Sequence, residues 1–273
     1  MTNTPDAEAI QAALSPATAK LVERVEVFDE IDSTSTYLLS APPARRGRFR
    51  ATLARTQTAG RGRRHREWLS APGAGMYLSV AHTFERPPAH LPALTLAVGV
   101  GVSRALRLLG ADTAMLKWPN DVVAMDGKLG GILIEAQHRG NGDMAVVTGL
   151  GVNVDLPDRL LGQVDGAWVA APIDLKTVAG RVPAPAELAA AMIEAICGAT
   201  SRYAAHGFAS MIAEWRDHDW LLGRQVSVDT ERGVITGVAT GVDGDGALLV
   251  DGGDGAQRVI SGTVRAAERS AST

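Results

Sequence analysis

Apolar and polar positions along this 273-residue chain follow two periods, and the period changes several times. Short segments in which apolar residues alternate with polar ones predict β-strands, whereas longer apolar runs predict helices. The predicted strands are residues 25–31, 50–56, 76–82, 114–118, 121–125, 129–136 and 144–152. The predicted helices are residues 91–109, 186–205 and 208–218. Intermixed strands and helices of these lengths predict an α+β domain.

Local signals fix the ends of several elements. Ser33 and Thr34 are suited to cap a short helix that contains the run Tyr37-Leu38-Leu39. Gly110 stands where the long helix should stop. Asp126-Gly127 and Gly140-Asn141-Gly142 are hairpin turn signals, which predicts that the last three strands of this group are antiparallel neighbours.

Other segments lack a sustained period and indicate how the chain is organised. Residues 57–75 and 155–185 are predicted to be loops, and residues 1–20 form an N-terminal extension with room for one short helix. After residue 220 the composition changes to short alternating segments separated by Gly and Asp, namely 225–228, 234–239, 247–250 and 257–260. We therefore expect a main domain at 21–220 and a small SH3-like β-barrel at 221–273.

Composition excludes several classes of protein. The hydrophobic fraction is 46% and the formal net charge is −3, which argues against a chain built to coat nucleic acid or an acidic membrane. A single cysteine, Cys197, rules out an intramolecular disulfide and suits a buried apolar position. The apolar stretch 91–102 is shorter than a membrane span, and the first twenty residues do not resemble a signal peptide. These features predict a cytoplasmic protein.

The segment Gly60-Arg61-Gly62-Arg63-Arg64-His65-Arg66-Glu67-Trp68 is the most distinctive feature of the chain. Arginine side chains bind phosphate and carboxylate oxygens, and glycines let the backbone approach a ligand closely. Because like charges repel, we expect this loop to become ordered when it binds an anion. From composition alone, a loop that binds a small anionic ligand is favoured no more than a solvated basic loop or a nucleic-acid patch.

Three further segments combine polar groups with apolar strands. Lys117-Trp118-Pro119-Asn120-Asp121 offers a carboxylate, Asp121, that suits Mg²⁺ or a ligand hydroxyl, although a simple turn would also use Asn and Asp. Lys128-Leu129-Gly130-Gly131 has glycines in a strand, as expected where a ligand approaches. The alternative is that this segment only forms a β-hairpin, since the preceding Asp126-Gly127 is already a turn signal. Gly149-Leu150-Gly151-Val152-Asn153 taken alone favours an ordinary strand end.

In this order, the four segments and the preceding Asp32-Ser33-Thr34 resemble the biotin protein ligase family over residues 25–265. The resemblance implies a catalytic domain of the class II synthetase-like kind, followed by an SH3-like domain. It also implies two half-reactions: biotin and MgATP give biotinyl-5′-AMP and pyrophosphate, and a lysine of a biotin carboxyl carrier domain then displaces AMP. Residues 1–20 are too short for the DNA-binding domain of the family's repressors, so we expect no DNA partner and no membrane partner.

The resemblance assigns roles by position. The biotin ring contacts are Ser33, Thr34 and Gln57, and the loop closing over biotin and the adenylate contains Gly60, Arg61, Gly62 and Arg63. The nucleotide side and pocket wall comprise Trp68, Asn120, Asp121, Lys128, Gly131, Gly149 and Asn153, with Asp121 as metal ligand and Arg265 reaching in from the C-terminal domain. Arg61, Arg63 and Lys128 would neutralise the repulsion between carboxylate and triphosphate and so carry catalysis.

Two positions depart from the family pattern, and three alternatives stay open. Ser35 stands where the family usually has Asn, and Gly130 replaces a common Ala.

A lipoate or octanoate ligase of the same superfamily would share the adenylation chemistry, although the arginine loop and Gln57 favour biotin. An RNA-binding module would use the arginine loop without consuming ATP. A degenerate, non-catalytic relative would not need to keep the charged residues Arg61, Arg63, Asp121 and Lys128.

Overall fold

The main domain is built on a mixed seven-stranded sheet. The computed structural model describes residues 5–140, 142–158, 171–253 and 255–266. The strands are β1 (Val22–Ile31), β2 (Phe49–Gln57), β3 (Gly75–Phe84), β4 (Met115–Lys117), β5 (Asp121–Ala124), β6 (Gly127–His138) and β7 (Met144–Asn153). Their order across the sheet is β1-β2-β3-β7-β6-β5-β4, with β1 parallel to β2 and every other pair antiparallel. The strands predicted for this domain are confirmed.

Helices cover the sheet. They are α1 (Ala7–Ala13), α2 (Pro16–Leu21), α3 (Thr34–Ser40), α4 (Leu91–Leu108), α5 (Leu175–Ala179), α6 (Pro185–His206) and α7 (Ile212–His218). Helices α4 and α6 pack against each other closely, because a Cβ at Gly101 would lie 2.8 Å from the carbonyl oxygen of Ala195. The predicted cap at Ser33 is confirmed, since its side chain accepts a hydrogen bond from the Thr36 amide, and Cys197 is buried.

Three sequence-based expectations about helices are wrong. Residues 1–20 hold two short helices rather than one, because Asp6 and Ser15 each cap a separate helix start. The segment 155–185 is not loop throughout: Asp174 caps α5 by accepting from the Thr177 amide. The predicted helix at 208–218 begins with a 3₁₀ segment at Phe208–Met211 before α7.

Helix α4 is the one helix in the described ranges that is long and apolar enough to cross a bilayer, judged by length and composition alone. Of this 18-residue helix, 56% is buried within the protein. That burial, together with its packing against α6, is typical of the core helix of a globular domain.

The C-terminal part forms a five-stranded antiparallel sheet. Its strands are β8 (Gln225–Thr230), β9 (Gly233–Val242), β10 (Leu248–Asp251), β11 (Ala256–Val259) and β12 (Thr263–Ala266), in the order β11-β10-β9-β8-β12. Strand β12 was not predicted, although β10 and β11 have the same length and were; its pairing with β8 defines it. The indole Nε1 of Trp118 donates to the carbonyl of Gly246 at 3.0 Å, which joins this sheet to the main domain. The boundary at 220/221 stays a prediction.

The turn between β5 and β6 lies one residue earlier than predicted. Met125 and Asp126, not Asp126 and Gly127, are its central residues, with φ angles of 48° and 60°. The Asp126 carboxylate accepts a hydrogen bond from Trp220 at 2.9 Å, which helps to hold this left-handed conformation. Gly127 instead begins β6, where a Cβ would lie 2.7 Å from the Cβ of Ile173.

Candidate active site

A cavity of about 1120 Å³ lies between the main sheet, the arginine loop and strand β12. It brings together all but one of the site residues predicted from the sequence: Ser33, Thr34, Gln57, Arg61, Gly62, Arg63, Trp68, Asn120, Asp121, Lys128, Gly131, Gly149, Asn153 and Arg265. Gly60 is the exception. It is buried behind the loop, where its carbonyl accepts from the Trp68 amide at 2.9 Å and a Cβ would lie 2.5 Å from the Trp68 carbonyl oxygen. Gly60 therefore shapes the loop.

One end of the cavity is made of neutral polar groups. The Gln57 Oε1 atom accepts from the backbone amide of Thr34 at 2.9 Å and from the Thr34 hydroxyl at 3.1 Å. Ser33 and Thr34 are both buried at the start of α3. The start of α3 thus fixes the Thr34 hydroxyl and the Gln57 side-chain amide against each other.

Ser79 belongs to this polar end, although the sequence did not single it out. Its hydroxyl lies 2.8 Å from that of Thr34 and 2.9 Å from that of Ser35, and the residue is 0% exposed. The signal that could have found it is a single serine among large apolar and aromatic residues in the centre of β3, Met76-Tyr77-Leu78-Ser79-Val80.

The other group of polar residues is cationic. Lys128 Nζ lies 2.7 Å from Asp121 Oδ1 and 5.5 Å from the centroid of the Trp68 ring. Arg63 Nη1 donates to Asn120 Oδ1 at 3.4 Å. Burial, and then the nearby charge of Arg64, lower the pKa of Arg63, while Asp121 opposes the shift. Positive charge gathered around one carboxylate attracts an anionic ligand.

Lys117 adds a further cation that the family resemblance did not assign. It is 7% exposed, lines the cavity and pairs in register with Asp121 across the β4–β5 hairpin. Burial lowers its pKa to about 8, with Asp121 acting in the opposite direction and Lys128 and Arg66 lowering it further. Binding of an anion here would favour the protonated form of Lys117.

Arg61 stands apart from the buried cations. Its Nη2 atom donates to Glu135 Oε2 at 2.8 Å, and its side chain is 42% exposed. Arg61 therefore lies at the rim of the cavity in this conformation, and its catalytic role stays a prediction.

The Trp68 indole packs against two glycines of neighbouring strands. Gly131 and Gly151 face each other in the β6–β7 register. A Cβ at Gly151 would lie 2.5 Å from Trp68 Cε2, and one at Gly131 would lie 3.1 Å from Trp68 Cζ3. The glycines are required because the indole occupies the space of their missing side chains. Gly151 was part of a segment noted in the sequence, but it was not predicted as a site residue.

The asparagines of the cavity bind the protein backbone. The Asn153 amide donates to the carbonyls of Lys128 and Ile173, each at 3.0 Å, and the Asn120 amide donates to the carbonyl of Ile132 at 3.0 Å. Both side chains hold strand ends together, and the Asn120 oxygen also accepts from Arg63.

Asp121 supplies one carboxylate for a metal ion. The described parts of the chain contain no group of three or more His, Cys, Asp or Glu side chains that could hold a metal on their own. Mg²⁺ in nucleotide sites commonly takes one or two carboxylates and completes its shell with phosphate oxygens and water. A single carboxylate therefore fits a metal that arrives bound to a nucleotide. Metal binding requires that one oxygen of Asp121 is not taken up by the ion pair with Lys128.

The C-terminal domain closes one side of the cavity. Arg265 forms an ion pair with Asp229 at 2.7 Å, and both residues line the cavity. Arg64, in the left-handed conformation with φ 56° and ψ 41°, donates to the hydroxyl of Thr263 at 2.9 Å. The arginine loop is thus tied directly to strand β12.

Comparison with known proteins identifies the family. The biotin/lipoate A/B protein ligase family matches residues 27–153, and the biotin protein ligase C-terminal domain matches residues 221–264. A biotin–[acetyl-CoA-carboxylase] ligase of Paracoccus denitrificans is 32% identical over 241 residues, which cover 85% of this chain and 96% of that protein. The chain belongs to the biotin protein ligase family. The family and the fold class predicted from the sequence are therefore confirmed.

Two other relatives of this ligase extend the comparison. The bifunctional ligase/repressor BirA of Salmonella typhimurium is 34% identical over 230 residues, which cover 83% of this chain and 69% of BirA. The biotin protein ligase of Aquifex aeolicus, solved in complex with biotin and ATP, superposes with a TM-score of 0.75 at 26% identity. That match covers 90% of this chain and all of the Aquifex chain, so the arrangement of both sheets is shared.

Proposed function

We propose that this enzyme adenylates biotin and transfers it to a lysine of a biotin carboxyl carrier domain. The observation that carries the proposal is one cavity with a neutral hydroxyl and amide end at Thr34 and Gln57 and a cationic region at Arg63 and Lys128. The neutral end suits the ureido ring of biotin, and the cations suit its carboxylate and the phosphates of ATP.

In the first half-reaction, a carboxylate oxygen of biotin attacks the α-phosphorus of ATP. A new oxygen–phosphorus bond forms, and the bond between the α-phosphorus and the bridging oxygen breaks to release pyrophosphate. Two anions must meet, so Lys128 and Arg63 neutralise their repulsion and stabilise charge that develops on the phosphoryl oxygens. Mg²⁺, held by Asp121 together with the phosphates, would lower the same repulsion.

In the second half-reaction, the neutral amine of the acceptor lysine attacks the carbonyl carbon of biotinyl-5′-AMP. A carbon–nitrogen bond forms, AMP leaves with the carbonyl–phosphate oxygen, and the amine loses one proton. The arginine loop, joined to β12 through Arg64 and Thr263, shields the reactive acyl-adenylate from water until the acceptor arrives.

The acceptor is inferred from a relative, and the location in the cell from the composition. Because the Paracoccus relative is named for acetyl-CoA carboxylase, we expect the acceptor to be the biotin-carrying domain of such a carboxylase. We also expect a cytoplasmic enzyme with neither a DNA nor a membrane partner, as the composition predicts.

The test is biotin-dependent exchange of labelled pyrophosphate into ATP. We expect exchange with biotin and not with octanoate, and a loss of about 100-fold or more in kcat/KM for Arg63→Ala and for Lys128→Ala. Lys176→Ala is the matched control, because Lys176 also pairs with a carboxylate, Asp155 at 3.0 Å, but lies outside the cavity.

The other outcomes separate the alternatives. Exchange with octanoate in place of biotin would assign the protein to the lipoyl branch of the family. No exchange with either acid, together with RNA binding that weakens as salt is raised, would favour the RNA-binding function.

A further inference from the structure

Four buried or half-buried side chains at the neutral end of the cavity form one continuous chain of hydrogen bonds. The Ser35 and Ser79 hydroxyls are 2.9 Å apart, and the Ser79 and Thr34 hydroxyls are 2.8 Å apart. The Thr34 hydroxyl lies 3.1 Å from Gln57 Oε1. Ser79 is 0% exposed and stands in the middle of this chain.

The direction of the protons in this chain is fixed at the Gln57 end. The Thr34 backbone amide can only donate, so the Gln57 atom 2.9 Å from it must be the amide oxygen and not the nitrogen. That oxygen has no proton, and therefore the Thr34 hydroxyl donates to it. A hydroxyl has one proton to give, so Thr34 must accept from Ser79, and Ser79 must accept from Ser35.

This direction determines what the cavity offers to a ligand. The hydroxyl protons of Ser35, Ser79 and Thr34 are all used within the chain, so toward a ligand these three groups can only accept hydrogen bonds. The Gln57 amide nitrogen keeps its two protons and can only donate. A ring that bears N–H groups beside a carbonyl, such as a cyclic urea, complements this pattern, whereas a hydrocarbon chain would leave the lone pairs unpaired.

We propose that Ser79 is a positioning residue that determines specificity for the cyclic urea: it donates to Thr34 and takes up the Ser35 proton, which extends the direction set at Gln57 along the chain and leaves acceptors for the N–H groups of the ligand. This inference rests on the proposed use of biotin. It adds Ser79 and Ser35 to the residues that the family resemblance assigned.

Gly149 supplies the room that this chain needs. A Cβ at Gly149 would lie 2.8 Å from the Ser35 hydroxyl and 3.7 Å from that of Ser79. The glycine lets the Ser35 oxygen stay within hydrogen-bonding distance of Ser79, at the position where the family usually has the longer Asn.

The test compares Ser79→Ala, Ser35→Ala and the double variant in biotin-dependent pyrophosphate exchange. For Ser79→Ala we expect KM for biotin to rise about ten- to a hundredfold, with KM for ATP unchanged within twofold. Because the Ser35 proton is held by Ser79, part of the effect of Ser35→Ala should already be present in Ser79→Ala, so the double variant should show less than the sum of both effects. Ser103→Ala is the matched control, because Ser103 is an equally buried serine outside the cavity whose hydroxyl also takes part in two hydrogen-bond contacts, with the carbonyl of Ala114 and with His218 Nδ1, each at 2.9 Å.

A second readout separates positioning from mere packing. Biotin methylated on a ureido nitrogen cannot donate from that nitrogen. For one of the two N-methyl isomers, the parent enzyme should lose about tenfold in kcat/KM, and Ser79→Ala should lose little more. Ser79→Cys, which preserves the shape with a weaker hydrogen-bonding group, should give an intermediate KM for biotin if Ser79→Ala folds poorly.

The two proposals fail in different ways. If the parent enzyme exchanges pyrophosphate with biotin but Ser79→Ala and Ser79→Cys keep its KM for biotin within twofold, the role of Ser79 is wrong and the proposed function stands. Equal rises in KM for biotin and for ATP would also overturn the role, because they indicate a general structural defect. Absence of biotin-dependent exchange in the parent enzyme would overturn the proposed function itself.

Discussion

At the scale of single residues, the fold changes the chemistry of side chains whose types the sequence already gives. Lys117 is an ordinary lysine in the sequence, yet burial lowers its pKa to about 8, with Asp121 opposing the shift and Lys128 and Arg66 adding to it. Ser79 looks like a single polar residue in a strand, yet it lies between two other hydroxyls. Neither property is visible until distant segments meet.

The lowered pKa of Lys117 predicts how stability depends on pH. Between about pH 8 and 10.5, the folded protein has lost the Lys117 proton while the unfolded chain keeps it, so the contribution of Lys117 to the free energy of unfolding should rise with pH. A shift of this size corresponds to about 3 kcal/mol in total. Burial raises the pKa of Cys197, which acts in the opposite direction above about pH 9, so the Lys117 contribution is the difference between the parent protein and a Lys117 variant. Urea denaturation at pH 7.5, 8.5 and 9.5 would measure the slope.

Lys117→Met should remove this slope, and Lys176→Met, which alters an exposed lysine, should keep it. Parallel pH profiles for the parent protein and Lys117→Met would show that Lys117 titrates in the folded protein as it does in the unfolded chain.

At the scale of elements, every strand of the main sheet was predictable from the sequence, whereas helix α5 and strand β12 were not. Strands β1, β2, β3, β6 and β7 are long enough to display their period. Helix α5 and strand β12 have five and four residues, and contacts with distant segments define them. Helix α5 starts where Asp174 caps it, and β12 exists because it pairs with β8.

The paired glycines of β6 and β7 carry a second prediction. Gly151→Ala would place a Cβ 2.5 Å from the Trp68 indole, and such overpacking should lower the free energy of unfolding by about 1–3 kcal/mol. The displaced indole should also become more accessible to acrylamide quenching, measured against a Trp68→Phe reference.

Gly198→Ala provides the contrast, because Gly198 lies within α6 and a Cβ there would meet nothing within 4 Å. This variant should gain about 0.5–1 kcal/mol from helix propensity. If Gly151→Ala proved as stable as Gly198→Ala, the Trp68 indole would not pack against Gly151 in solution.

At the scale of the whole molecule, the active-site cavity depends on both domains. The Trp118 indole reaches Gly246 of the C-terminal domain, and Arg64 of the arginine loop reaches Thr263 of β12. The left-handed conformation of Arg64 costs about 1–2 kcal/mol in a non-glycine residue. The contact with Thr263 offsets part of that cost, so the C-terminal domain helps to keep the loop in place.

Thr263→Val should therefore loosen the loop. We expect trypsin to cleave within residues 61–66 about two- to fivefold faster than in the parent protein, and biotin with ATP to restore protection. Thr240→Val is the control, since Thr240 is a strand threonine whose hydroxyl donates to Leu249 at 3.4 Å within the same sheet. Equal cleavage rates for all three proteins would mean that the loop does not depend on β12.

The sequence by itself determined the α+β class, most strands, the long helices and many of the cavity residues, because motif order and hydrophobic period are local properties of the chain. Only the tertiary structure decided which side chains face one another. In the folded protein Lys128 forms an ion pair with Asp121, and Arg61 forms one with Glu135. Trp68 packs against Gly151, and the Ser79 hydroxyl lies between those of Thr34 and Ser35. Hydrogen-bond direction, burial and pKa depend on distances between segments far apart in the chain, and packing alone fixes those distances.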